Sequence, residues 1–160
     1  MFDVVVFLAC RRAVPEGPHG PGSLARLPYT LEGVCYTFRI DDPAAEPPFV
    51  VGDVWFYLRF VRTTPAGFTR RFALRLLAVN DDDTRTPVAY PANPPSAAPF
   101  ALGDIHFPGH SPVTSLTVVA RDVEVPRRGR YEFRLLVERK RPNWKGSRWR
   151  WVASHYIAVE

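Results

Sequence analysis

The chain has 160 residues, 46% of them apolar and 23% charged, enough for one domain with a sizeable core. Its net charge of +5 is concentrated: six of the 21 basic residues lie within residues 139–151, and the other 15 meet 16 acidic ones. That distribution excludes a broadly basic nucleic-acid binder, and no apolar stretch approaches the ~20 residues a membrane-spanning helix needs.

Residues 2–10, FDVVVFLAC, are a Val-rich apolar run and predict a strand buried on both faces. Asp3 stands where a secretory leader carries positive charge, and Arg11 and Arg12 follow the run instead of preceding it, so the segment reads as a strand. The expected location is cytoplasmic, with no membrane association. Residues 11–28 are rich in Pro and Gly and read as a loop. In YTLEGVCYTFRI (29–40), Val34, Tyr36, Phe38 and Ile40 alternate onto one face, predicting one continuous strand. Cys10 and Cys35 each sit in an apolar run and read as reduced core residues, with a disulfide open only if their strands are neighbours.

In 53–62, Val54, Phe56, Leu58 and Phe60 share a face, and in 68–79 Phe72, Leu74, Leu76 and Ala78 do the same. The short TTPAG between them predicts a β-hairpin. NDDDTRTP is a second turn, followed by a short strand near 85–90. The Pro-rich stretch 91–112 leaves room for one strand around 100–107. A Val/Thr-rich strand spans 113–125, and Tyr131, Phe133, Leu135 and Val137 alternate strictly in the next. The last strand places Trp149, Trp151, Ala153, His155, Ile157 and Val159 on one face, taken as the core face. With seven to nine short strands and no helical period, the fold class is all-β: an antiparallel two-sheet sandwich, Ig-like or jelly-roll-like, over 1–160, with a closed barrel as the alternative.

Between the last two strands lies RKRPNWKGSRWRW (139–151), where Pro, Asn, Gly and Ser suit a hairpin tip. With Trp149 and Trp151 assigned to the core, Trp144 and the basic groups are left for a partner. Arg139, Lys140, Arg141, Trp144, Lys145 and Arg148 are therefore the candidate partner-binding residues. They suit an acidic protein surface, or a single nucleic-acid strand whose phosphates meet the cations while a base stacks on the ring. The plainer reading is a solvated hairpin whose charges keep a sheet edge from pairing with other chains.

Other chemistry is sparse. NDDDT (80–84) lacks the alternating spacing of a calcium loop and reads as a turn. Asp104, His106 and His110 could converge on a transition metal across the Pro108–Gly109 turn, but no fourth ligand is evident. Ser154 and His155 are neighbours on opposite faces of a strand, and Asp41, Asp42 and Asp53 flank a loop without forming a recognisable pair. No nucleophile elbow or phosphate-binding glycine loop is present, so no catalytic residue and no cofactor is assigned.

FDVVVFLAC at the start, GVCYTFRI after the first loop and the closing GRYEFRLLV together resemble a family of small bacterial β-sandwich proteins of unknown function, in order over most of the chain. The resemblance implies a standalone, soluble, non-catalytic protein and carries over no site residues. The long Pro-rich loops and the basic final hairpin depart from it. The leading expectation is a non-enzymatic interaction or structural module that contacts a protein partner or another copy of itself. The alternative is nucleic-acid binding through 139–151, and the third reading is a metal-dependent hydrolase at Asp104, His106 and His110.

Overall fold

A computed structural model describes residues 1–15, 29–34, 36–42, 44–90, 96–139 and 148–160, with the side chains of 12–15 and 29–32 left out of the description. Ten strands follow in chain order: β1 (Phe2–Pro15), β2 (Tyr29–Val34), β3 (Thr37–Phe38), β4 (Phe49–Arg62), β5 (Phe68–Val79), β6 (Arg85–Pro87), β7 (Phe100–Phe107), β8 (Val113–Val125), β9 (Gly129–Glu138) and β10 (Trp149–Val159). They form two sheets. Sheet A has the order β2-β1-β4-β8, and sheet B has the order β3-β10-β9-β5-β6, with β7 also pairing along β5. All pairs are antiparallel except β3 with β10. The all-β sandwich is as the alternation predicts. The strand count exceeds seven to nine because β3 and β6 are only two and three residues long.

The core lies between the sheets. Val54, Phe56, Leu58 and Phe60 of β4 meet Phe72, Leu74, Leu76 and Ala78 of β5 and Tyr131, Phe133, Leu135 and Val137 of β9. The rings of Phe56 and Phe133 pack edge to face at 4.8 Å, and Phe2 stacks on Phe107 at 5.2 Å. Burying each such ring stabilises the fold by about 1.5–3 kcal/mol relative to leaving it exposed. Tyr131 is fully buried, and its hydroxyl donates back to the Arg127 carbonyl, tying the turn before β9 to its first residues.

Four sequence expectations need correction. β4 and β5 are not a hairpin. β4 pairs with β1 and β8, whereas β5 pairs with β9, β6 and β7, so residues 63–67 carry the chain from one sheet to the other. Two alternating runs joined by a short turn can pair side by side or face each other across a core. The fourfold apolar faces of both runs satisfy the second arrangement, and Phe60 packs on Phe72 at 5.2 Å across it.

The expected strand 29–40 is also divided. Gly33 takes a left-handed φ of 59°, Val34 still pairs with Cys10 in sheet A, and Thr37 already pairs with Ala158 in sheet B. Phe38 alone of the alternating set is buried, while Tyr36 is 61% exposed. β1 is buried on one face, not two: Asp3 and Val5 are exposed, because one side of this antiparallel sheet faces outward. Its strand also runs on to Pro15, into the expected loop. The fourth correction concerns β10 and is described with the site. Cys10 is buried, with its thiol 3.6 Å from the Trp55 carbonyl, and Cys35 lies outside the described residues. No helix among the described residues is long and apolar enough to cross a membrane.

Candidate functional site

The closing hairpin is formed as its turn chemistry predicts: β9 and β10 pair antiparallel, and the Arg139 amide donates to the Arg148 carbonyl at 2.8 Å. The structure thus sets Arg139 and Arg148 opposite each other at the hairpin base, both exposed. Lys140, Arg141, Trp144 and Lys145 lie outside the described residues.

The register of β10 breaks between Trp151 and Ala153, so that Trp151 pairs with Leu136 and Ala153 with Leu135. This bulge inserts Val152 and reverses the side-chain phase. Beyond it His155, Ile157 and Val159 are buried, as the alternation predicts. Before it Trp149 and Trp151 pair with Glu138 and Leu136, on the outer side of β9. The expectation that both tryptophans are core residues is therefore wrong. Trp151 is 55% exposed, and period-2 counting fails wherever an extra residue is inserted.

The outer face of sheet B consequently reads as rows across the strands. Asp104, Arg71, Glu138 and Trp149 form one row, and Ala101, Ala73, Leu136 and Trp151 the next. Arg75, Arg134 and Ser154 follow, then Pro87, Leu77, Glu132 and Tyr156. The Arg134 guanidinium lies over the Trp151 ring at 4.6 Å, and that of Arg148 over Trp149 at 5.9 Å. Such stacking is available to Arg because its cation is planar and weakly hydrated.

Glu132 is the electrostatic centre of this face. It is 0% exposed, although its backbone sits on the outer register. Arg134 donates to it at 2.7 and 3.1 Å, Arg85 donates at 3.2 Å, and the Ser154 hydroxyl also donates. Burial pushes its carboxyl up, but the hydrogen bonds from Arg134, Ser154 and Arg85 outweigh burial and hold it below the usual glutamate range. Arg85 in turn reaches the Tyr156 hydroxyl and then Glu132, which together hold its guanidinium more firmly protonated. Arg75 stands opposite Arg134, and its Nε is buried without a hydrogen-bond partner.

The sequence reading gave Glu132, Arg134 and Arg75 no role, because it built its candidate surface from the basic hairpin alone. The signal was present: Glu132 and Arg134 are the outward positions within Tyr131, Phe133 and Leu135, and Arg75 is the matching outward position of β5.

Asp104 pairs with Arg71 at 3.1 Å, His106 Nδ1 lies 3.2 Å from the Thr69 hydroxyl, and His110 is exposed in the turn before β8. Among the described residues no group of three His, Cys, Asp or Glu is arranged to hold a metal ion. In the 80–84 turn, Asp82 accepts from the Thr84 hydroxyl and amide, which hold its carboxyl low, and Asp83 pairs with Arg130 at 3.3 Å. Asp42 accepts the Ala44 amide at 2.9 Å, and Asp53 accepts the Asp122 amide at 3.1 Å. Ser154 points out to Glu132, whereas His155 is buried beside Tyr36 and Phe7, so the two form no dyad. A cleft of about 500 Å³ opens at one end of the sandwich, lined by Pro48, Ala78, Pro87, Val88 and Val125, with Asn80, Glu124 and Arg127 as its polar groups.

No family model matches the chain, and no curated protein matches it. Among solved structures it is similar to the Pseudomonas fluorescens alkylpurine DNA glycosylase AlkC bound to DNA containing an abasic site analog, at a TM-score of 0.40 and 10% identity. The match covers 99% of this chain and 30% of that one, so the chain spans under a third of the length of the structure it resembles.

Proposed function

We propose that the protein is a non-enzymatic β-sandwich interaction module, a subunit or adaptor of a larger assembly, and that the outer face of the closing hairpin is its contact surface. The observation that carries the reading is the bulge between Trp151 and Ala153, which turns Trp149 and Trp151 away from the core. A sandwich core has ample use for tryptophan, and an outward Trp151 at 55% exposure, with Tyr156 at 48% two rows along the same face, leaves aromatic surface in water. Trp, Tyr and Arg are the residues that dominate binding energy at protein interfaces, because they combine large area with directional polar groups. The Arg148 guanidinium, bonded to Glu138 and lying over Trp149, extends the same face toward the hairpin base. The partner is another protein or a second copy of this chain.

Affinity capture from the native host, with and without nuclease, tests the reading. A nuclease-resistant protein that is lost with a Trp151→Ala variant is the expected result. Recovery of nuclease-sensitive nucleic acid through 139–151 would replace the reading with its alternative. A stoichiometric transition metal bound at Asp104, His106 and His110 would overturn it in favour of an enzyme.

A further inference from the structure

On the outer face of sheet B the guanidiniums of Arg85 and Arg134 hold one wholly buried carboxylate, Glu132, and Arg75 stands in the row beside it. Glu132 is fully engaged by Arg85 and Arg134, and Arg75 is left over. Arg75 stands directly opposite Arg134 in the β5–β9 pairing, where like charges repel. Its Nε is buried and makes no hydrogen bond. Two like charges directly opposite each other repel, and an anion set between the two guanidiniums relieves that repulsion. The next row places the Trp151 ring against Arg134, so an apolar group would lie beside such an anion.

We infer that Arg75, with Arg134 and Trp151 beside it, anchors a carboxylate from an acidic segment of a partner protein. The inference rests on the reading of this face as the contact surface, and it specifies the partner's chemistry. Charge arrangement favours a discrete carboxylate over a phosphate backbone. Arg71 is already paired with Asp104 and Glu138, and Arg148 with Glu138, so the cations around Arg75 are balanced by embedded carboxylates. A nucleic-acid strand needs successive uncompensated cations and would run across those carboxylates.

Random peptides displayed on phage, selected against the whole protein, supply the probe. Enriched peptides are then titrated against the wild type, Arg75→Gln, Arg75→Lys and Trp151→Ala, with a twelve-nucleotide oligothymidine in parallel. The enriched sequences are expected to share an Asp or Glu, and Arg75→Gln to weaken them at least tenfold. Arg75→Lys keeps the charge without the planar fork and is expected to recover part of that loss. Arg75→Gln is also expected to melt no lower than the wild type, since it removes a like-charge pair. A clear drop in melting temperature would make Arg75 a structural residue and overturn the inference. Enriched peptides that lack an acid, or that bind Arg75→Gln as tightly as the wild type, would overturn the carboxylate anchor. The contact-surface reading would survive that result if Trp151→Ala still abolished binding. Oligothymidine binding with no peptide enriched, or binding of neither probe, would overturn both.

Discussion

Glu132 shows how a single residue can be buried on the outer side of a sheet. Arg134, two residues along the same strand, and Arg85 of β6, two strands away, both bring their guanidiniums to its carboxylate. Replacing Glu132 with Gln leaves Arg85 and Arg134 without their shared anion, and is expected to lower stability by about 1–3 kcal/mol in denaturant unfolding. The pH dependence follows from the direction of its shift. The folded-state carboxyl titrates below its unfolded value, so its stabilisation is complete above about pH 4.3 and is lost as pH falls through the depressed folded value. Unfolding curves of Glu132→Gln should therefore converge on the wild type in acid. A constant gap from pH 3 to pH 7 would show that the carboxylate's charge is not what the site stabilises. Tyr131 offers a simpler case: Tyr131→Phe keeps the ring in the core, removes the bond to Arg127, and should cost about 1 kcal/mol.

At the scale of the element, β10 divides at its bulge into a segment that faces outward with its large rings and a segment that faces the core. The second half was legible in the sequence, because His155, Ile157 and Val159 keep period 2 from Ala153 onward. The first half was not. An insertion such as Val152 has no compositional mark, and extending the phase backward sends both tryptophans to the wrong side. The same blindness applied at Gly33, where a left-handed residue ends one strand and the chain changes sheet within three residues. Two measurements follow. Trp151→Ala removes a half-exposed ring that stacks on Arg134 and should lower unfolding free energy by about 0.5–1 kcal/mol, the worth of an exposed cation–π contact. Deleting Val152 makes Trp151 the direct neighbour of Ala153 in a regular ladder, where strict alternation keeps Trp149 and Trp151 outward. Their fluorescence should stay that of outward-facing rings, whereas a blue shift would mean that the register of β10 against β9 has slipped.

Over the whole molecule, class, layer and the closing hairpin were readable, and the other pairings were not. Alternation in β4, β5, β9 and β10 identifies the faces that meet in the core. It does not say which strands are neighbours, so an inter-sheet crossing at 63–67 looks like a hairpin. The candidate site was half legible for the same reason. Composition marks the basic hairpin, while the Arg75–Arg134–Glu132 arrangement exists only once β5 and β9 are placed side by side. The core that fixes this placement runs through Phe56 and Phe133, from one sheet to the other. Phe56→Ala should cost about 3–5 kcal/mol and should loosen both sheets together.

A partner seated on the outer face of β9 and β10 shields that face from solvent. Hydrogen exchange of the protein, alone and with its captured partner, reads this out. Slowed exchange is expected, confined to residues 132–139 and 148–156, with the neighbouring outward positions of β5. Slowed exchange at the cleft formed by residues 78–89 and 124–127, or across sheet A, with the closing hairpin unchanged, would contradict it.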